Sequence, residues 1–422
     1  MKSRRQACRG GRRGWNVAQG SGVRRHLCGI WTAWTDAAGA ADAAAEVARA
    51  VGGSALSQIV VFFSADYDAE ILARALETWF PGVPVAGCSM SGGIAPAGGL
   101  DRGLVAIAFP AERFRIVSTV LDAIDHLDVE RTASAVRALR RTLDPLDRCR
   151  EVDMAASGHR FALSLIDGLA NAEETVVSAI AWALDGIPIV GGSAGDDLRF
   201  RDAVLLHGGK IHRKAAVLVL VETDFSVEIF KSDNFEPTQT KFVVTASDGE
   251  RRTVHELNAE PAAREYAMAI GLDPEGLSPM SFAAYPLAVK VGGEYFCRSI
   301  RRMNEDGSLS FFCAVDEGVV LTLAEPRDIV ASTRAELARL DAVLGGVDLI
   351  IGFECVLRRL DAESRQVRHG IADLYRRYNV VGFETFGEQY RAMHLNQTFT
   401  GIAIGKTLAG GAPGAEATPV AS

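Results

Sequence analysis

Apolar residues fall in blocks along this chain, and the blocks alternate between two periods. Gln58-Ile-Val-Val-Phe-Phe63 is an unbroken β-branched and aromatic run, which predicts a buried strand. Asp68 to Phe80 follows with Ile71, Leu72, Ala75, Leu76 and Trp79 at helical spacing, and Pro81-Gly82 stops it. Val83-Pro-Val-Ala-Gly-Cys-Ser89 then predicts a short strand entering a glycine turn, and Leu104 to Phe109 a further strand.

The order recurs. Phe161-Ala-Leu-Ser-Leu-Ile166 reads as a strand, and Asn171 to Leu184 as a helix capped by Asn171, with Glu173 and Glu174 in its first turn. Ile187-Pro-Ile-Val-Gly-Gly-Ser193 repeats the strand-to-turn almost residue for residue, and Ala215 to Val221 is the next strand. A looser third copy holds Val347-Asp-Leu-Ile-Ile-Gly352, a helix around His369 to Arg377, Asn379-Val-Val-Gly-Phe-Glu-Thr385 and Phe399 to Ile404. Such internal repetition, strand alternating with helix, predicts an α/β fold with mixed sheets flanked by helices. From Phe225 to Leu323 the rhythm breaks into strands, tight turns and a helix near Val254 to Ile270. Asn258 is its expected cap, and Pro261 stands in the first turn. This insert is expected to divide the second copy from the third.

The chain has 422 residues, 48% hydrophobic and 23% charged, which allows a sizeable core. A net charge of −8 argues against general nucleic-acid binding, and the apolar runs are too short for a membrane span. Seven scattered cysteines without C-x-x-C spacing predict reduced thiols and a cytoplasmic location. The Arg- and Gly-rich start has no apolar signal core. Residues 1–30 are therefore expected to be a disordered basic leader, and 407–422 a disordered tail.

Candidate chemistry gathers at the turns. Gly87-Cys-Ser-Met-Ser-Gly-Gly93 and Gly191-Gly-Ser-Ala-Gly195 fit neither a phosphate-cradling nor a dinucleotide-binding fingerprint, so close packing of three turns around one centre is expected. Asp196 and Asp197 in the second turn, and Glu384 and Glu388 in the third, place carboxylates that would meet a ligand amine or solvate a loop. No G-x-S-x-G elbow exists, and Cys88 or Cys355 would serve as nucleophile only with a lowered thiol pKa. The chain is not expected to be an enzyme. His394 stands among Phe386, Tyr390 and Met393. A lone neutral imidazole in apolar surroundings suits a proximal haem ligand, or a core histidine satisfied by the backbone.

Gly191-Gly-Ser-Ala-Gly-Asp-Asp197, Cys355-Val-Leu-Arg358, and Gly382-Phe-Glu-Thr-Phe-Gly-Glu388 with Asn396-Gln-Thr398 resemble the signature of paired FIST N and FIST C domains, over roughly residues 55 to 405. The resemblance implies a FIST N domain over 31–220 and a FIST C domain over 221–406. It also implies an intracellular small-ligand sensor working beside a histidine kinase in a two-component system, or beside a diguanylate cyclase or phosphodiesterase. Gly352-Phe-Glu-Cys-Val-Leu-Arg-Arg-Leu360 and the stretch from Tyr390 to Gly401 are similar to the stand-alone branch that binds haem and senses nitric oxide. That likeness implies haem iron on His394, with Phe386, Tyr390 and Met393 around the cofactor. The alternative it leaves open is an amino acid or another small metabolite, without haem, held by Asp196, Asp197, Glu384 and Glu388. One departure stands out: the family's first turn commonly ends Gly-Glu-Ile, and here it reads Gly92-Gly93-Ile94.

Overall fold

The computed structural model describes residues 20–143 and 159–408. Three units of one design account for most of it. Each has an edge strand, a helix, a central strand, a second helical segment, a strand parallel to the central one, a short hairpin and a closing antiparallel strand. In the first unit these are Trp31–Thr35, Ala40–Val51, Leu56–Ser64, Ala69–Trp79, Val85–Met90, the hairpin Gly93–Ala95 with Gly98–Leu100, and Leu104–Pro110. The second runs from Phe114–Leu121 to Ala216–Thr223, and the third from Phe225–Asp233 to Thr398–Leu408. Edge, closing, central and parallel strands lie side by side in that order in all three sheets.

The hairpins do not stay in their own sheets. The first unit's hairpin pairs with Val380–Thr385 of the third unit. The third unit's hairpin, Glu388–Tyr390 with Met393–Leu395, pairs with Ile189–Ala194 of the second. The second unit's, Leu205–His207 with Lys210–His212, pairs with Val85–Met90 of the first. The edge at each parallel strand is covered by a neighbour's hairpin, so the exchange closes a ring.

Both faces of every sheet are covered, which explains the unbroken apolar runs in the central strands. The inner faces share one core, in which Phe62 packs on Phe353 and Phe383, with ring centroids 6.3 and 4.6 Å apart. The outer faces lie under helices. Ala69–Trp79 starts at Asp68, whose side chain accepts from Ile71 N, and it buries Leu72, Ala73 and Leu76. Ile329–Leu344 starts at Asp328, which accepts from Val330 N and Ala331 N, and it ends at Gly345 with φ 63°.

Five expectations are corrected. The insert lies inside the third unit, between its edge strand Phe225–Asp233 and its helix Ile329–Leu344, and builds a separate eight-stranded sheet. The helix expected near Val254 to Ile270 is a strand, Thr253–Leu257, followed by a shorter helix, Ala262–Ala269. Burial of Val254 and Leu257 in the insert's core, from a strand whose pairing is interrupted by register shifts, outweighs the helical propensity there. Neither Asn171 nor Asn258 caps a helix; both are left-handed turn residues, with φ 53°. The ordered chain begins before residue 31, because Gly22–Arg25 pairs with Trp31–Thr35 and Cys28 and Ile30 are buried. Residues 1–19 and 409–422, most of the expected leader and tail, lie outside the described residues, while Thr407 and Leu408 belong to the last strand.

Candidate functional site

Three glycines at one equivalent position deliver the turns to a common level. Gly87, Gly191 and Gly382 oppose Val61, Ser164 and Gly352 in the parallel pairs. A Cβ on any of them would overlap the carbonyl oxygen of the facing residue, so no larger residue fits. Just beyond, the turns hydrogen-bond to one another. Ser91 N donates to Glu384 O at 3.1 Å, and Glu384 N to Gly92 O at 2.8 Å. Phe386 N donates to Ser193 O at 3.1 Å, Ser193 N to Gly387 O at 2.8 Å, and Gly195 N to Ser89 O at 3.2 Å. The expected convergence of three turns is thus present as a closed hub.

One side chain reaches all three. Arg359, on the helix Val356–Ser364, donates from Nη1 to Ser91 O at 3.2 Å and to Glu384 Oε2 at 2.6 Å, and from Nη2 to Asp197 Oδ1 at 3.2 Å. Its side chain is 7% exposed, and although burial opposes its charge, Glu384 and Asp197 raise its pKa. Arg368 donates to the other oxygen of Glu384 at 3.0 Å. The sequence reading had singled out the carboxylates. It missed both arginines, although Arg359 lay inside a motif it had quoted.

Beside the hub opens a cleft of about 350 Å³, lined by Ser64, Asp66, Ser91, Arg102, Asp197 and Arg199 among others. Asp66 bridges Arg102 at 2.9 Å and Arg199 at 2.7 Å. Ser91 is 1% exposed, and among the described residues its Oγ has no hydrogen-bond partner. Asp197, Leu198 and Phe200 along the rim are left-handed, with φ 57°, 63° and 52°. Asp196 holds that rim in shape by accepting from Phe200 N, Arg201 N and Asp202 N at 2.8, 2.7 and 3.1 Å.

The four carboxylates expected to meet a ligand therefore divide. Asp197 lines the cleft; Asp196 is spent on the loop backbone, and Glu384 on two arginines. Glu388 lies deeper, accepting from Thr385 Oγ1 and from Thr398 N and Oγ1, and burial pushes its carboxyl up to about 8 despite those bonds. Cys88 and Cys355 are fully buried, and burial raises both thiols well above their ordinary value. Neither is placed to act as a thiolate.

His394 is 3% exposed, and burial lowers its pKa. Among the described residues neither ring nitrogen has a hydrogen-bond partner, so as a neutral donor it fits an iron ligand. The surrounding shell does not fit. His394 pairs across the hairpin with Gln389, and Tyr390 with Met393, so Tyr390 and Met393 occupy the opposite face. Phe386 packs instead against Phe200, its ring tilted by 31° with centroids 4.8 Å apart. A Cβ on Gly387 would collide with the His394 ring, which shows how closely that turn presses on it.

The FIST N domain matches residues 57–260 and the FIST C domain residues 262–391. Over 134 residues the chain is 26% identical to "Uncharacterized protein MJ1623" of Methanocaldococcus jannaschii, covering 32% of this chain and 23% of that protein's length. Among the described residues no helix is long and apolar enough to cross a membrane. With both domains matched, over 57–260 and 262–391, the chain belongs to the FIST domain family, whose modules are small-ligand sensors in signal transduction.

Proposed function

We propose that this protein senses a compact zwitterionic metabolite of amino-acid size, bound in the cleft beside the hub. Ser91 carries the proposal: a residue of the cleft wall, 1% exposed, whose Oγ is without a partner among the described residues. A buried polar atom left unpaired costs roughly 1–3 kcal/mol, and a ligand that pairs with it recovers that cost. Arg102 and Arg199 offer guanidinium groups to a carboxylate, and Asp66 and Asp197 offer acceptors to an ammonium group. Because the first and second turns line the cleft, and Ser91 and Asp197 both bond to Arg359 of the third unit, a bound ligand bears on three units at once. A partner protein, a histidine kinase or a cyclic-di-GMP enzyme, would read that change. Screening the twenty amino acids by thermal shift tests the proposal, since saturating ligand raises the unfolding temperature. A response lost in Ser91→Ala supports it; no response to any of the twenty removes it.

A second proposal, a haem-based nitric oxide sensor, is supported by the unpartnered imidazole of His394. Haem would supply the gas-binding iron, and His394 would be its protein donor. The aromatic shell lies elsewhere, which is why this proposal stands second. Haem titration decides it: a Soret band that His394→Ala abolishes supports the assignment, and a spectrum unchanged by that substitution ends it.

A further inference from the structure

A groove runs over the outer face of the helix Glu173–Leu184 and onto the insert. At one end, a hollow of about 440 Å³, Trp182 and Val129 project from the helical layer with Ala179 between them. Arg137 covers one face of the indole, 4.4 Å from the ring centroid, and still leaves Trp182 60% exposed. The other end is a crevice of about 710 Å³ between the start of that helix and the insert's turns at Gly249 and Asp316. Glu174 and Thr175 line both ends, so the groove is continuous.

The crevice is acidic. Glu174, Asp248, Glu250 and Asp316 line it, and no lysine, arginine or histidine does. Two guanidinium groups stand close by. Arg252 is held by Glu173 and Glu174 together, and Arg251 approaches Asp248 at 3.6 Å with its side chain almost fully exposed. Glu250 and Asp316 make no ion pair among the described residues. An open tryptophan at one end and unpaired carboxylates at the other make a two-part surface, with an apolar anchor site and a cation site.

Resting on the reading that a partner protein follows the state of this sensor, we infer that the partner docks in this groove. It does so through an amphipathic segment with lysine or arginine at one end and a large apolar anchor at the other. Charge complementarity sets the direction: the basic end meets Glu250 and Asp316, and the anchor packs on Trp182 and Val129. Trp182 lies eight residues beyond Glu174 on the helix, about 12 Å along its axis. The anchor therefore follows the basic residues by about eight positions in a helical segment, or about four in an extended one. The same carboxylates repel nucleic acid and anionic lipid. Because the groove straddles the seam that Arg252 ties, a shift of the insert against the helix changes its width, and a segment held there registers the shift.

Fluorescence anisotropy of synthetic peptides on the full-length protein tests this. The probe has about 16 residues, enough to hold some helix alone, with lysines in its first turn and leucine and phenylalanine two to three turns on. The controls are a scrambled peptide of the same composition and one with glutamate for lysine. Wild-type protein should bind the probe at least about tenfold more tightly than either control. Trp182→Ala should remove most of that preference, as should Glu250→Gln combined with Asp316→Asn. Trp79→Ala, at an exposed tryptophan of the first unit, should leave it unchanged. Equal binding of probe and scrambled peptide, or a preference fully kept in Trp182→Ala, overturns the proposal. Tighter binding of a synthetic peptide of residues 1–19, or dimerisation that Trp182→Ala abolishes, also overturns it, by giving the groove to this chain's own basic start or to a second copy. Loss of the amino-acid response in the cleft, by contrast, removes the ligand reading and leaves the peptide ranking as it is.

Discussion

Arg359 Nη1 lies 2.6 Å from Glu384 Oε2, and the pair makes one of three equivalent turns unlike the others. Glu384 occupies the place that Ser89 and Ser193 hold in the first two units, two residues beyond the close-approach glycine. Ser89 Oγ accepts from Val204 N, and Ser193 Oγ from Gln389 Nε2. The glutamate reaches further and draws in two arginines, so a pattern of three similar turns acquires one charged centre. Arg359→Ala should lower the unfolding free energy by about 1–3 kcal/mol, because the buried Glu384 loses one of its two guanidinium partners and keeps only Arg368. Urea denaturation measures this, and a loss below about 1 kcal/mol would show that the hub is held by its backbone bonds alone.

The glycine at the close-approach position should tolerate nothing larger. In Gly191→Ala the new Cβ meets the backbone oxygen of Ser164, which cannot swing aside as a side chain would. A loss of about 1–3 kcal/mol or more is expected. Gly186→Ala is the contrast: its added Cβ meets nothing within 4 Å, although φ 91° imposes a cost of its own, a backbone strain unrelated to packing. Comparing thermal unfolding of the two separates overlap from strain.

The insert is tied to the second unit by Arg252. Its guanidinium donates to Glu173 Oε2 at 2.6 Å, Glu174 Oε2 at 2.5 Å and Phe312 O at 2.6 Å, in a site where Glu173 is 2% exposed. Arg252→Met should cost about 3–5 kcal/mol, and adding Glu173→Gln should recover part of it, since the more deeply buried of the two stranded charges is then gone while Glu174 remains. Full additivity of the two losses in denaturant unfolding would contradict the pairing.

Glu388 should give stability a slope with pH. Its folded-state carboxyl is raised to about 8, so between its unfolded value near 4.5 and about 8 the native state holds a proton that the unfolded state has lost. Stability therefore falls as pH rises through that window, by up to about 1.4 kcal/mol per unit from this group. Glu388→Gln, which keeps an acceptor toward Thr398 and can donate to Thr385, should remove that component and match the wild type best near pH 4.5. Parallel stability curves for the two proteins across pH 5 to 8 would exclude it.

Much of the fold was legible locally. The runs at 58–63, 161–166 and 347–352 became central strands because sheets covered on both faces need apolar residues at every position. The turn glycines announced a close approach, and Asp197, read as a carboxylate beside the second turn, lines a cleft. The upstream edge strands and helices of each unit were not seen. Phe114–Leu121 is only partly buried along most of its length, and helix Val129–Leu143 carries many charged residues, so neither stands out as an apolar block. Arg359 was passed over because an arginine beside a strand reads as solvent-facing until a partner is known.

The sequence by itself determined the threefold recurrence of central strand, helix, parallel strand and closing strand, and the small residues at the hub, since each follows from periodicity or sterics within about ten residues. Tertiary structure alone decided which hairpin covers which sheet, that Arg359 meets three turns, and that His394 faces away from Tyr390 and Met393. Those relations join residues far apart in the chain. Side-chain facing depends on strand register, and ion pairing on which buried charges are left to meet, and neither is written in a local pattern.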